Sequence, residues 1–219
     1  MSTPTTLTPA EAWAELQRGN ERFIAGEPRH PRQDADRREE LAYRQYPIAG
    51  IFGCSDSRLA AEMIFDLGLG DAFVIRNAGQ IASDSAIGSI EYAVGILQVP
   101  LLLVLGHDRC GAVRAAIDSQ AADAQALPPH IADLIAPIAP AVRSIAGIED
   151  GATLDPEAVD AGAVGREHLR NTIGALLRDS EMISEAVAEG KLAIVGANYQ
   201  LVEGRVAPHI AVGLDLDLG

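Results

Sequence analysis

The most informative segment of the sequence reads Ile48-Ala49-Gly50-Ile51-Phe52-Gly53-Cys54-Ser55-Asp56-Ser57-Arg58. It changes from apolar to polar at its midpoint, which predicts a buried strand that ends in a loop. Loops that are fixed by a buried strand commonly carry functional groups. A thiol, a carboxylate and a guanidinium lie within five residues here. We therefore predict that the chemistry of the protein is centred on Cys54, Asp56 and Arg58.

The only other cysteine of the sequence follows a second strand-like run. Residues 101–105 are all Leu or Val, and they lead into Gly106-His107-Asp108-Arg109-Cys110-Gly111. The spacing of His107 and Cys110 lets both side chains reach one ion from a turn that enters a helix. With Cys54 they would give three protein ligands and leave a position for water, which is typical of catalytic zinc sites. The alternatives are two reduced core cysteines or a disulfide, and a reducing compartment disfavours the disulfide.

Asp56 would have a specific use beside such a metal. An ionised carboxylate only accepts hydrogen bonds, so Asp56 would fix the proton of a hydroxide and leave a lone pair facing the substrate. Arg58 can hold Asp56 through a bidentate contact and keep the pKa of its carboxyl low. Two alternatives stay open. The two residues could form a purely structural ion pair, or Asp56 could move onto the metal, displace the water and switch the enzyme off at low pH.

Composition and charge restrict the class of protein. Of the 219 residues, 48% are hydrophobic but only 4% are aromatic, which is typical of helices packed on a mostly parallel sheet. The net charge of −14 argues against nucleic acid or an anionic membrane as the partner. Residues 1–4 show no secretory signal, and the apolar runs are too short to span a bilayer. We therefore expect a cytoplasmic protein with no membrane or nucleic-acid partner.

Strand-like and helix-like segments alternate along the chain. Apolar runs predict strands at 48–52, 73–76, 101–105, 192–197 and 209–214. Helical periodicity predicts helices at 9–25, 85–98, 110–122, 129–146, 157–178 and 180–189. Pro137 and Pro140 would kink or break the fourth of these helices. The alternation indicates parallel crossover connections.

These segments predict an α/β fold made of one domain, residues 1–219. Its centre is a mostly parallel sheet of four strands plus an antiparallel C-terminal edge strand, flanked by helices. The last strand is antiparallel because the turn at Glu203-Gly204 leaves only a short connection to it. Residues 1–45, approximately, form an N-terminal helical arm. Its helix either covers the sheet of its own chain or reaches a partner subunit.

At the two polar loops the sequence closely resembles the β-class carbonic anhydrases. Cys-Ser-Asp-Ser-Arg at 54–58 and Gly-His-x-x-Cys-Gly at 106–111 match the two signatures of that family. Residues 16–23, 90–93 and 194–199 resemble its N-terminal helix, its central helix and the strand near its C-terminus. The resemblance therefore covers nearly the whole chain, and its motifs are highly specific in combination.

The resemblance implies one Zn²⁺ per chain on Cys54, His107 and Cys110, with Asp56 and Arg58 as the catalytic dyad. It implies the reversible hydration of carbon dioxide to bicarbonate and a proton by attack of zinc-bound hydroxide. It also implies a homodimer or a dimer of dimers, with active sites at the subunit interface and the first helix gripping the partner. The alternatives are hydrolysis of carbonyl sulfide or carbon disulfide on the same scaffold, or a zinc protein without turnover.

The same resemblance implies a substrate pocket of the plant-like subgroup. Gln45 falls where that subgroup has a substrate-orienting glutamine, and Phe73 and Tyr92 match the aromatic residues that line its CO2 pocket. Ala78 stands where the subgroup usually has Val, so we expect a slightly roomier pocket. Gln45 and the backbone at Gly111 would hold the substrate oxygens, and Gln45 argues against the sulfur substrates.

Overall fold

A computed structural model describes residues 7–216, so the expectation for the first four residues lies outside the described part. Its helices are α1 (Pro9–Ala25), α2 (Ala35–Glu40), α3 (Ala61–Ile64), α4 (Asp84–Glu91), α5 (Gly111–Asp118), α6 (Pro129–Ile135), α7 (Ala139–Ala146), α8 (Ala161–Asp179) and α9 (Glu181–Ala188). Its strands are β1 (Ala49–Cys54), β2 (Ala72–Asn77), β3 (Leu101–His107), β4 (Ala193–Tyr199) and β5 (Val206–Val212). A π-helical segment, Tyr92–Ile96, follows α4, and 3-10 turns cover Ala136–Ile138 and Pro156–Ala158. Across residues 7–216, no helix combines the length and the apolar character needed to cross a bilayer.

The five strands form one sheet in the order β2-β1-β3-β4-β5. All neighbouring strands are parallel except β4 and β5, which are antiparallel. The predicted fold class is thereby confirmed, whereas the single-domain organisation of residues 1–219 stays a prediction. Strands β2 and β3 lie on opposite sides of β1. This reversal opens a crevice at the carboxyl ends of β1 and β3, where ligands bind in open α/β sheets.

The core lies on both faces of this sheet. Every residue of β1 and β3 is buried, as their unbroken apolar runs predict. Ile51 and Leu103 pack on one face against α1, α3, α5 and α7. Phe52 and Val104 pack on the other face against α4, α8 and α9. Full burial of one such side chain contributes about 2 kcal/mol, so packing on both faces holds β1 and β3 rigidly.

The predicted helix at 85–98 differs from the observed structure in its second half. An α-helix covers Asp84–Glu91, and a wider π-helix continues as Tyr92–Ile96. The extra residue in the wide turn turns both Ala93 and Val94 towards the core. Gly95 then lies against the sulfur of Met182 on α9, where a Cβ would meet Sδ at 2.6 Å. The helix predicted at 129–146 is interrupted at Pro137, as expected.

Helix α1 is held against the body of its own chain. Thr8 and Glu11 form a capping box at its start, and Trp13 and Leu16 are buried on its inner face. Gly19 lies directly on the backbone of Phe65, where any Cβ would collide with the carbonyl group. Of the two roles expected for this helix, covering its own chain is therefore observed.

The buried Asn20 completes the attachment of α1. Its amide nitrogen donates to the carbonyl groups of Ile64 and Gly204, and its amide oxygen accepts the N–H of Val206. One side chain thus joins α1 to the end of α3 and to the start of β5. A buried amide whose hydrogen bonds are all made favours one arrangement of the elements around it.

Asp66, just after α3, anchors the segment that follows α1. Its carboxylate accepts a hydrogen bond of 2.6 Å from Nε of Arg22, and it also accepts hydrogen bonds from the backbone N–H groups of Arg29 and His30. Burial alone would raise the pKa of the Asp66 carboxyl, but these hydrogen bonds outweigh burial and lower it. The irregular segment after α1 is therefore fixed by a buried, ionised carboxylate.

Candidate metal centre

Three potential metal ligands meet at the crevice between β1 and β3. Cys54 is the last residue of β1, His107 is the last residue of β3, and Cys110 is the residue that caps the start of α5. One ligating atom from each residue lies within 4.8 Å of the others, and all three residues are buried. The expected convergence of the two polar loops is thus observed. Neighbouring parallel strands end at the same edge of the sheet, which is why ligands 53 positions apart can meet.

His107 presents one free nitrogen to this cluster. Its Nδ1 lies 2.8 Å from the backbone carbonyl of Asp108, and because a carbonyl only accepts, Nδ1 carries the proton. Nε2 is buried and has no hydrogen-bond partner among the described residues. A backbone contact of this kind is how metal-binding histidines are oriented. The unpaired Nε2 lone pair is therefore suited to a metal ion.

The two cysteines of the cluster are free and buried. A hydrogen bond from the Cys110 thiol is the main reason that the pKa of Cys54 is lowered to about 4, against the effect of burial. The same contact raises the pKa of Cys110. A divalent cation would replace the proton of the Cys110 thiol and stabilise both thiolates. Two thiolates and one imidazole match the donor set of zinc, so the residues present fit the ion.

Asp56 and Arg58 lie at the rim of this cluster. Arg58 donates from Nε and Nη2 to the two carboxylate oxygens of Asp56, both at 2.8 Å, so the contact is bidentate. The guanidinium hydrogen bonds hold the pKa of the Asp56 carboxyl well below its usual range, although burial opposes them. Oδ2 of Asp56 is 4.0 Å from Nε2 of His107. The carboxylate therefore faces the same point as the free imidazole nitrogen.

Arg76 is a residue of the site that sequence reasoning missed. It lies near the end of β2, and its guanidinium donates to the backbone carbonyl groups of Cys54 at 3.0 Å and Asp56 at 2.6 Å. These contacts fix the loop that carries both side chains. Its position near the end of a strand adjacent to β1 is the signal that could have identified it, because carboxyl ends of parallel strands share one edge.

The residues expected to form the substrate pocket divide into two groups. Ala78 and Gly111 are next to the cluster: Ala78 precedes Gly79, whose N–H donates to Cys54 Sγ, and Gly111 follows Cys110. Open space surrounds the position where a Cβ of Gly111 would lie. Both residues therefore border the metal cluster of their own chain.

Phe73 and Tyr92 lie elsewhere in their own chain. Their rings contact each other, with centroids 5.9 Å apart. Phe73 is paired with Gly50, four residues before Cys54 in β1, which is about 13 Å at ~3.3 Å per residue. Tyr92 follows α4, which begins after the cluster end of β2 and carries the chain about 12 Å away from that end. Gln45 is exposed in the segment before β1. The chain does not bring the aromatic pair to its own metal cluster.

Comparison with known proteins identifies the family. The family model described as carbonic anhydrase matches residues 49–206. The chain is 47% identical over 206 residues to carbonic anhydrase 2 of Mycobacterium tuberculosis, covering 94% of this chain and 95% of that protein. It is 43% identical over 199 residues to the carbonic anhydrase of Mycolicibacterium smegmatis, covering 90% and 92%.

Solved structures agree with this assignment. A tetrameric β-carbonic anhydrase from the fungus Sordaria macrospora superposes with a TM-score of 0.68 at 26% identity, covering 80% of this chain and 86% of that chain. The β-carbonic anhydrase CcaA superposes with a TM-score of 0.65 at 25% identity, covering 90% and 95%. The sequence matches and the shared fold lead to the same conclusion: the chain belongs to the β-class carbonic anhydrases.

Proposed function

We propose that this protein catalyses the reversible hydration of carbon dioxide to bicarbonate and a proton, with one zinc ion per chain held by Cys54, His107 and Cys110. The observation that carries the proposal is the buried cluster of two thiols and one unpaired imidazole nitrogen beside an ionised carboxylate. Family membership supports the same reaction. Zinc at this site would acidify a water molecule and so supply a nucleophile near neutral pH.

Asp56 is proposed to orient that nucleophile. Since both of its oxygens already accept from Arg58, the carboxylate stays ionised and accepts a further hydrogen bond from the attacking water. That bond directs the lone pair of the water oxygen away from Asp56 and towards the substrate. Arg58 holds the carboxylate in place, and Arg76 fixes the loop beneath it. The dyad thus supplies orientation, which is a large part of catalysis for a small, unactivated substrate.

A second copy of the chain is proposed to complete the pocket. Within the described residues β2 has a sheet neighbour on one side only. Tyr92, whose ring contacts Phe73 of β2, is 47% exposed, and Ile96, four residues further along the chain, is 66% exposed. Large apolar side chains next to an open strand edge are typical of an interface. We therefore place Phe73, Tyr92 and Gln45 of one subunit at the metal site of its partner, in a homodimer or a dimer of dimers. The Sordaria macrospora relatives are tetrameric, which supports such an assembly.

A cytoplasmic location is also proposed. The metal site needs both thiols in the reduced form, and both cysteines are free. A reducing compartment maintains that state, whereas an oxidising one would favour disulfide formation between thiols this close.

Stopped-flow measurement of CO2 hydration on the zinc-loaded protein, from pH 6.5 to 9, tests the proposed reaction. We expect turnover well above the uncatalysed rate. Carbonyl sulfide and carbon disulfide are assayed on the same preparation. Turnover of a sulfur substrate without CO2 hydration, or a stoichiometric zinc protein that turns over none of the three, would exclude the proposal.

Replacement of Asp56 by Asn is expected to lower kcat for CO2 hydration about 100-fold or more, while zinc stays bound. The amide retains the shape of the carboxylate but loses its charge and one acceptor oxygen. Asp179→Asn is a matched control, because Asp179 also makes a bidentate contact with an arginine, Arg178, but on the exposed end of α8. Its kcat should equal that of the native protein. Native kcat in Asp56→Asn would show that Asp56 belongs to a structural ion pair.

Mixed dimers test the contribution of the partner subunit. Cys54→Ala removes a ligand but keeps the aromatic pair, and Tyr92→Ala removes part of the pair but keeps the ligands. If the pocket is shared, co-refolding equal amounts of the two variants restores up to about half of the native activity per zinc-binding chain. The reason is that about half of the Tyr92→Ala chains, which bind zinc, then pair with a Cys54→Ala chain that supplies an intact Tyr92. If each chain forms its own pocket, the mixture shows only the sum of the separate activities.

A further inference from the structure

A buried histidine lies behind the metal cluster without belonging to it. His168 is in the middle of α8 and is 3% exposed. Its Nε2 is 2.8 Å from the backbone carbonyl of Gly79. Because the carbonyl can only accept, Nε2 carries the hydrogen and donates it. The contact links α8 to the turn after β2, across 89 positions of the sequence.

Gly79 is also the residue that contacts Cys54. Its backbone N–H donates to Sγ of Cys54 at 3.3 Å. The carbonyl held by His168 and the N–H held by the thiol belong to the same residue. The peptide groups on either side of the Gly79 Cα are therefore both held, one by the His168 imidazole and the other by the Cys54 sulfur.

The turn that carries Gly79 contains two successive residues in the left-handed region of backbone conformation. Gly79 has φ +81°, and the next residue, Gln80, has φ +42° although it has a side chain. A left-handed conformation costs a residue other than glycine about 1–2 kcal/mol. Asn77 closes the turn through two hydrogen bonds of 2.7 Å with the backbone of Ile81. Asn77 is also paired with Cys54 in the sheet, and its carbonyl accepts the N–H of Ser55, so the start of the turn is fixed relative to β1. Gly79 lies two residues further on, beyond the paired residues of β2.

We propose that His168 is a positioning residue for the metal site, which holds the Gly79 carbonyl so that the Gly79 N–H stays on the Cys54 thiolate. This inference rests on the zinc site proposed above and extends it to a residue outside the ligand set. Such a hydrogen bond stabilises negative charge on the sulfur. With zinc bound, the sulfur would donate less charge to the ion, so the ion would make a water molecule more acidic than it would with two thiolates that accept no hydrogen bond.

The second nitrogen of the imidazole agrees with this role. Nδ1 is buried and has no hydrogen-bond partner among residues 7–216. Burial lowers the pKa of His168, and the Gly79 carbonyl only partly opposes it, so the ring is neutral near pH 7. An unpaired buried nitrogen is unfavourable. A packing residue at this position would be better served by an aliphatic side chain, whereas a donor to Gly79 has to be polar.

The test compares two substitutions at His168 with one nearby. His168→Leu fills the space without a donor, and His168→Gln keeps an N–H that can reach the carbonyl. Thr172→Val is the matched control, because it removes a buried hydrogen bond within the same helix, from Thr172 Oγ1 to the carbonyl of His168. Zinc affinity is measured by competition with a chromogenic chelator, and global stability is measured separately by urea unfolding.

We expect His168→Leu to weaken zinc binding about 10-fold or more, and His168→Gln to remain within about threefold of the native protein. Thr172→Val should lose stability and keep native zinc affinity. In protein loaded with ¹¹³Cd, the Gly79 amide proton should show coupling to the metal through the sulfur, and this coupling should disappear in His168→Leu. Native zinc affinity and retained coupling in His168→Leu would overturn the proposal.

A measurement on the native protein keeps the proposal testable if His168→Leu does not fold. Long-range ¹H–¹⁵N spectra of the imidazole should show the tautomer with hydrogen on Nε2. Hydrogen on Nδ1 would overturn the proposal, because Nε2 could then not donate to Gly79. Failure of the native protein to bind zinc at all would refute the metal site itself, which is a different outcome from native binding that does not respond to His168.

Discussion

Replacement of Cys54 by Ala is expected to remove zinc from the protein and to lower CO2 hydration at least about 1,000-fold. The substitution leaves only His107 and Cys110 as ligands and deletes the acceptor of the Gly79 N–H. If a structural zinc site with four ligands binds with 10–16 kcal/mol, one ligand contributes roughly 3 kcal/mol, or more than ~100-fold in affinity. Zinc content by mass spectrometry and stopped-flow CO2 hydration on the same sample measure both effects.

Ser55→Ala is the control for this substitution. Ser55 is the next residue of the same loop, its side chain is exposed, and its backbone N–H to Asn77 is unaffected by the change. It should bind one zinc per chain and retain native activity. One tightly bound zinc in Cys54→Ala would show that the ligand set is wrong, even if activity were lost.

Replacement of Gly19 by Ala is expected to destabilise the protein by about 3 kcal/mol. The added Cβ would overlap the carbonyl group of Phe65, and backbone cannot move aside as the end of a flexible side chain can. Displacement of α1 would also loosen the three hydrogen bonds of Asn20. Urea unfolding followed by circular dichroism measures the change in the free energy of unfolding.

Gly174→Ala is the control substitution, and it is expected to raise the free energy of unfolding where Gly19→Ala lowers it. Gly174 is exposed within α8, and nothing lies within 4 Å of the position of its Cβ. Since alanine favours a helix over glycine by about 1 kcal/mol, this variant should be more stable than the native protein. If Gly19→Ala were as stable as the native protein, α1 would not be packed on Phe65 as described.

The sequence was sufficient to predict the sheet and the position of the ligands. The apolar runs of β1 and β3 are continuous because both faces of these strands are covered, and such runs are easily recognised. Cys54 and His107 follow these runs directly. Since the carboxyl ends of parallel strands share one edge of the sheet, the strand assignment was enough to predict that Cys54 and His107 lie close together.

Other features depend on contacts that sequence spacing does not contain. The π-helix at Tyr92–Ile96 has apolar positions that also suit an α-helix, so the apolar pattern does not distinguish the two. The partner of His168 cannot be identified from sequence spacing, because Gly79 is 89 positions away. The separation of Phe73 from the metal cluster follows from strand register, which the strand pattern alone does not fix.

The attachment of α1 also has a consequence for the order in which the chain is completed during synthesis. Cys54, His107 and Cys110 all lie within residues 1–110, so the ribosome delivers all three residues before β4, which begins at Ala193, exists. Asn20, by contrast, is bonded to Gly204 and Val206, close to the C-terminus. The hydrogen bonds of Asn20 in α1 to these two residues therefore form only after residues 204–206 have been synthesised. A ribosome-bound chain that ends before residue 204 cannot form them.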